Sequence, residues 1–175
     1  MASEKWDLQA GAAPRAAWEA TRPPSTAGGE TPSWRFPLLG LDVSASKIGL
    51  ALAETPTAWP QPLFTYARVT RTRDLAQCLE WVQRYQAQGV IIGLPLNMDG
   101  SAGPRAQWMQ RFRRELQART PIPMLLQDER LSTVEADEML IAQGMGRDER
   151  AERVDAVAAA LILQRFLHER EPGSP

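Results

Sequence analysis

FPLLGLDVSASKIGLALAE, residues 36–54, is two short apolar runs joined by a turn of small residues. Leu38, Leu39, Gly40 and Leu41 lead to a single carboxylate, Asp42. Val43-Ser44-Ala45-Ser46 makes the turn, and Lys47 opens the second run, which continues to Leu52. Two such runs around turn formers predict a β-hairpin. A lone acid at the end of a buried strand is costly unless something offsets its charge. Two readings of Asp42 follow. Either it caps the turn by accepting from the amides of Ser44 or Ala45, or it ligates a metal with partners supplied from elsewhere in the chain.

The elements that follow set where those partners can come from. A Pro-rich link, Thr55–Pro62, precedes a third strand over Leu63–Val69, which alternates as a half-buried strand does. Leu75, Cys78, Leu79 and Val82 fall at helical spacing within Thr72–Gln88, and Gly89 is placed to end that helix. Val90-Ile91-Ile92-Gly93 is short and β-branched, hence a buried central strand. A turn-rich loop, Leu94–Gly103, leads to a helix over Pro104–Arg119 with proline in its first turn. Pro123–Gln127 is a fifth strand, and Ser132-Thr133-Val134-Glu135 reads as a capping box opening a helix that ends at Gly144. The last helix spans Asp148–His168.

The order β-β-β-α-β-α-β-α-α predicts an α/β domain. An antiparallel meander of three strands is extended by two parallel strands through right-handed crossovers, giving a mixed five-stranded sheet with helices on both faces. Residues 1–34 are rich in Ala, Pro, Gly, Ser and Thr, without a sustained period. They are expected to be a flexible extension, although they carry Trp6, Trp18 and Trp34. The domain is expected over 35–170, with a short tail at 171–175.

Composition narrows the function. The chain of 175 residues is 43% hydrophobic and 23% charged, with a formal net charge of −1, so it has no global basic signal for coating nucleic acid. One cysteine, Cys78, cannot make an internal disulfide. No apolar run approaches the ~18 residues of a membrane span, and the N-terminus lacks the apolar block of a signal peptide. A cytoplasmic protein is expected. Zinc-ligand spacing is absent, and the one histidine, His168, lies near a helix C-terminus where the dipole favours it, which leaves little support for Ser or Cys nucleophile chemistry.

Acids remain. Asp128 and Glu129 are adjacent at the end of a predicted strand, and strand alternation lets at most one of them share a side with Asp42. The alternative is a solvated strand–helix turn neutralised by Arg130. Asp155 lies in Arg153–Leu163, a helix apolar nearly all round, where Arg153 does not share its face. Metal ligation by Asp155 is preferred over a simple preference for helix N-terminal turns. The loop Gly93–Arg105 lacks the Gly-Lys-Ser/Thr ending of a P-loop, but its amides and helix start suit a phosphate, with Arg105 nearby. Arg105, Arg111, Arg113, Arg114 and Arg119, with Arg68, Arg71 and Arg73, form either a basic track or a solvated face. Carboxylates at separate strand ends and on one helix meet the needs of hard Mg²⁺ or Mn²⁺ ions in two-metal phosphodiester hydrolysis.

GLDVSASKIGLALAE (40–54), VIIGLPLNMDGSAGPRA (90–106), LQDERLSTVEA (126–136) and RVDAVAAALIL (153–163), in that order, resemble the YqgF/RuvX family of bacterial RNase H-like proteins. The resemblance covers about residues 36–170. It implies an RNase H-like fold and a metal-dependent endonuclease acting on structured nucleic acid at the 5′ end of pre-16S rRNA. The alternative it carries is a Holliday-junction resolvase working as a homodimer on four-way DNA. It implies Asp42, Glu129 and Asp155 as the catalytic, Mg²⁺- or Mn²⁺-binding acids, with Asp128 as a second-choice neighbour, and Lys47, Asn97, Asp99, Arg105 and Arg130 facing substrate. In one respect the chain departs from the family pattern. Ser44 stands where a glycine is usual, and the usual basic position is Ser46, with Lys47 following. That departure motivates a third expectation, a nucleic-acid- or ribosome-binding module that does not cut.

Overall fold

The computed structural model describes residues 34–130 and 132–170. The extension before Trp34, with Trp6 and Trp18, and the tail at 171–175 lie outside the described residues. The hairpin forms as expected. Strand β1 (Leu38–Val43) pairs antiparallel with β2 (Lys47–Ala53), Asp42 opposite Gly49 and Val43 opposite Ile48. β2 pairs antiparallel with β3 (Gln61–Ala67). Helix α1 (Arg71–Arg84) then crosses to β4 (Gly89–Leu94), parallel to β1, and α2 (Pro104–Gln117) crosses to β5 (Met124–Asp128), parallel to β4. Helices α3 (Ser132–Ala142) and α4 (Arg147–His168) complete the chain. The sheet order is β3-β2-β1-β4-β5, with β1 at its centre.

Alternation along β1 sorts the two layers. Odd-numbered Leu39 and Leu41 pack with Leu75, Cys78 and Val82 of α1 and with Met109, Phe112 and Leu116 of α2. Leu38 packs with Ile162, Leu163 and Phe166 of α4 on the opposite face. Asp42 has the parity of Leu38 and therefore faces α4. Helix α3 covers α4 from outside, Ala136 meeting Ala158 and Leu161.

Two boundaries and one helix cap depart from the sequence expectation, each for a physical reason. Helix α1 stops at Arg84 rather than Gln88. Gln86 turns left-handed (φ 50°), and Ala87 N–H returns to the Val82 carbonyl at 2.9 Å. Gly89 instead opens β4, where a Cβ would stand 2.7 Å from the Trp34 ring. β3 begins at Gln61, inside the Pro-rich link, because it is an edge strand with a register irregularity that accommodates Pro62. At α3, the Ser132 hydroxyl donates to the Glu129 carbonyl at 2.6 Å and Glu135 pairs with Arg165, so neither side chain is spent as the capping box implied.

Candidate active site

Asp42 and Asp155 meet because α4 crosses β2 almost in contact with its backbone. A Cβ on Gly49, the residue opposite Asp42, would lie 2.0 Å from the carbonyl oxygen of Asp155; only glycine admits the helix this close. Both acids are buried, 6% and 8% exposed. Asp155 Oδ2 lies 3.7 Å from Lys47 Nζ, and that ammonium also donates to the Ala151 carbonyl at 2.8 Å. Lys47, expected to face substrate, is thus tied to α4. Burial raises the Asp155 carboxyl above its usual range, with Lys47 opposing.

Glu129 arrives from the other side of β1. The chain leaves β5 after Asp128, and Glu129 N–H donates to the Leu94 carbonyl at 3.3 Å. Its carboxyl occupies the space a side chain on Gly93 would take: a Cβ there would stand 1.8 Å from Glu129 Oε2. That oxygen is buried and accepts no hydrogen bond. The carboxyls of Asp42 and Glu129 lie within hydrogen-bonding reach of each other, a contact that is attractive only if one holds a proton. Burial first, then Asp155, pushes Asp42 up to about 7, Glu129 and Arg105 opposing. Burial first, then Asp42, pushes Glu129 up to about 9, against the pull of Arg105. Arg105, in the first turn of α2, is therefore close enough to act on both acids.

Of the adjacent pair, the structure turns Glu129 toward Asp42 and leaves Asp128 to Arg130. Arg130 Nη2 lies 2.7 Å from Asp128 Oδ2, and Arg130 Nη1 donates to the Met98 carbonyl at 3.3 Å. The Asn97–Ser101 turn closes on itself. Asn97 Nδ2 donates to Ser101 Oγ at 2.8 Å and Ser101 Oγ to Asp99 Oδ1 at 2.6 Å. Ser101 holds the Asp99 carboxyl below its usual range. The structure thus gathers Asp42, Glu129, Asp155, Lys47 and Arg105 at one end of the sheet, with Asp128 closing β5 and Asn97, Asp99 and Arg130 in neighbouring loops; Arg130 joins the two.

Two further features bear on the site. Ser44, which stands where the family usually has glycine, spends its side chain inside the turn. Its hydroxyl accepts from Lys47 N–H at 3.0 Å and donates to the Lys47 carbonyl at 3.1 Å, closing the turn. The wider basic track loses members, since Arg68 is paired with Asp74 and Arg71 with Glu115. Sequence reasoning missed the Lys47–Asp155 and Arg68–Asp74 pairs. Pairing between distant elements leaves no local pattern.

Among the described residues no three acidic, His or Cys side chains form a ready-made ion cage. The residues nonetheless fit a hard divalent ion. All donors are carboxylate oxygens, two carboxyls are buried in contact, and one of their oxygens lacks any donor.

A family model described as "RuvX: Holliday junction resolvase" matches residues 37–169. A protein of Rhodobacter capsulatus named "Putative pre-16S rRNA nuclease" is 45% identical over 127 residues, 73% of this chain and 80% of that one. One of the same name from Anaeromyxobacter sp. is 44% identical over 132 residues, covering 75% of this chain and 96% of its own length. Among solved structures, T. thermophilus RuvC in complex with Holliday junction substrate superposes with TM-score 0.50 at 16% identity, covering 77% of this chain and 96% of that one. The fowlpox virus resolvase with substrate Holliday junction DNA gives 0.51 at 8%, covering 78% and 100%. At those identities the likeness is one of fold, a resolvase-type RNase H-like sheet. The family match and the curated relatives go further: the chain belongs to the RuvX family.

Proposed function

We propose that this chain is a nuclease that depends on Mg²⁺ or Mn²⁺ and cuts phosphodiester bonds in structured nucleic acid, its substrate the 5′ end of pre-16S rRNA. The observation that carries the reading is the buried contact between Asp42 and Glu129, carboxyls from separate segments pressed together with one oxygen unpartnered. A protein gains no stability from such a pair, and a divalent cation is what offsets it. The relatives' name supports the RNA substrate.

Asp42, Glu129 and Asp155 would hold the ion or ions. When bound, a divalent ion lowers the pKa of a water and offsets charge on the leaving oxygen. The protein's own part is placement. Gly49 and Gly93 let the three carboxylates converge, and Lys47 orients Asp155. Arg105 brings positive charge beside the acids, where a scissile phosphate is drawn. Asn97, Asp99 and Arg130, in the neighbouring loops, would meet the substrate.

Four-way junction cutting is the second reading, favoured by the family description and by the fold shared with junction-bound resolvases. It requires a two-fold dimer. Against the non-cutting module stands the inward use of the Ser44 hydroxyl, which bonds Lys47 within the turn.

The test is cleavage of an end-labelled pre-16S RNA 5′ fragment and a four-way DNA junction by wild type and Asp155→Asn, with Mn²⁺, Mg²⁺ or EDTA. Metal-dependent cutting of the RNA is expected, falling by roughly two orders of magnitude in the variant, the scale of losing one transition-state charge partner. Binding without cutting under every condition overturns the nuclease reading.

A further inference from the structure

The turn between Asp42 and Lys47 is held from outside by one side chain. Arg68, just past the end of β3, donates through its backbone N–H to the Ser46 carbonyl at 2.9 Å. Its Nη1 donates to the Ser44 carbonyl at 2.7 Å. Its Nε donates to Asp74 Oδ2 at 2.9 Å. Asp74, in the first turn of α1, is fully buried, and its other oxygen accepts from Val69 N–H at 3.1 Å. The guanidinium carbon lies 4.6 Å over the Trp108 ring of α2, which stacks on Phe112. Arg68 thereby ties three elements to a turn that contains no glycine and whose far ends are Asp42 and Lys47.

A buried Arg–Asp pair is a poor way to gain stability, since desolvation consumes most of the attraction. This one divides its donors, some on Asp74 and others on the turn, which a lysine cannot reproduce from one point charge. The turn's hydrogen bonds then fix where β1 ends and where Lys47 begins, and Lys47 in turn contacts Asp155. We propose that Arg68 is a positioning residue for the carboxylate site: anchored on buried Asp74, it clamps the Ser44–Ser46 turn and so sets the directions of Asp42 and Lys47. The inference rests on the nuclease reading only for its catalytic consequence; the clamp itself is a property of the turn.

The experiment compares wild type, Arg68→Lys, Arg68→Met and, as a destabilised control away from the turn, Leu116→Ala. Three quantities are measured: amide hydrogen exchange at Ser44 and Lys47, the Mn²⁺ concentration giving half-maximal thermal stabilisation without substrate, and kcat and KM on the RNA fragment. In Arg68→Lys the turn amides should exchange about tenfold faster and the Mn²⁺ midpoint and kcat should each worsen about tenfold, the range for supporting residues around metal ligands, with KM nearly unchanged. Leu116→Ala should lower the melting temperature and leave the Mn²⁺ midpoint and kcat alone. If neither Arg68 variant folds, Asp74→Asn, which keeps the shape of the anchor and removes its charge, should show the same pattern more weakly. Turn exchange in a folded variant equal to wild type, or changes that merely parallel those of Leu116→Ala, overturns the clamp. A wild type that neither binds Mn²⁺ nor cuts overturns the nuclease reading instead, while the turn exchange still decides the clamp.

Discussion

Asp42 and Glu129 press two acids into one buried space, so the ion-free site is sensitive to pH. An ordinary carboxyl has lost its proton above about pH 4, whereas these stand near 7 and 9. Between those limits the folded pair holds protons that the unfolded chain has released. By linkage, stability then falls as pH rises. The contribution is whole below about pH 4 and is lost as pH climbs through the folded values toward 9. In EDTA the melting temperature should therefore drop between pH 5 and pH 9. Glu129→Gln, which cannot ionise, should melt a few degrees above wild type at pH 8, ~1 kcal/mol in a chain of this size, and should show a shallower decline. Identical pH profiles for the two proteins would contradict the assignment of the strain to this pair. At this scale the sequence was partly legible. Asp42 stands out as the lone charge closing an apolar run, but alternation left Asp128 and Glu129 undecided. The choice is made by the chain bending out of β5 after Asp128, beyond which strand parity does not apply.

The elements meet through glycines, and two of them separate stability from chemistry. A Cβ on Gly49 would strike helix backbone, 2.0 Å from the Asp155 oxygen and 2.1 Å from its carbonyl carbon. Relief requires α4 to lift from β2. Gly49→Ala should cost about 3 kcal/mol, the upper range for overpacking, read as a lower urea midpoint. A Cβ on Gly93 meets chiefly the Glu129 carboxyl, the far end of a flexible side chain, and the tip of Ile162. Gly93→Ala should lose less stability, yet displace Glu129 and abolish metal-dependent cutting. Equal stability losses with cutting retained in Gly93→Ala would show that Glu129 has no fixed place in the site. The elements themselves were well legible, because period-2 and period-3.6 patterns report burial on one or both faces. Their ends were less so. Gly89 reads locally as a helix stop, while the reason for that glycine is the Trp34 ring packed over it from a distant part of the chain.

Among the described residues one acidic cluster is gathered, at one end of a five-stranded sheet. A four-way junction is two-fold symmetric and must be nicked at two related positions, so a junction-cutting enzyme needs a second cluster supplied by a partner. Among the described residues the exposed large apolar side chains fall in three places. Trp59, Phe64 and Val69 are on the β2–β3 side, Met98 is in the loop after β4, and Val134 and Ile141 are on α3. Scattered exposure of this kind needs no partner to cover it. A lasting symmetric dimer also needs roughly 1,000 Å² or more of matched surface. The RNA-end reading makes no demand for symmetry. It predicts sedimentation as a single chain at micromolar concentration and an initial cutting rate that rises linearly with protein. A rate rising with the square of concentration, together with a sedimenting dimer and paired nicks at symmetric junction positions, would overturn it in favour of junction resolution. Rate order decides where sequence could not, because the acids proposed to hold the ion are the same in either case and only their number per substrate differs.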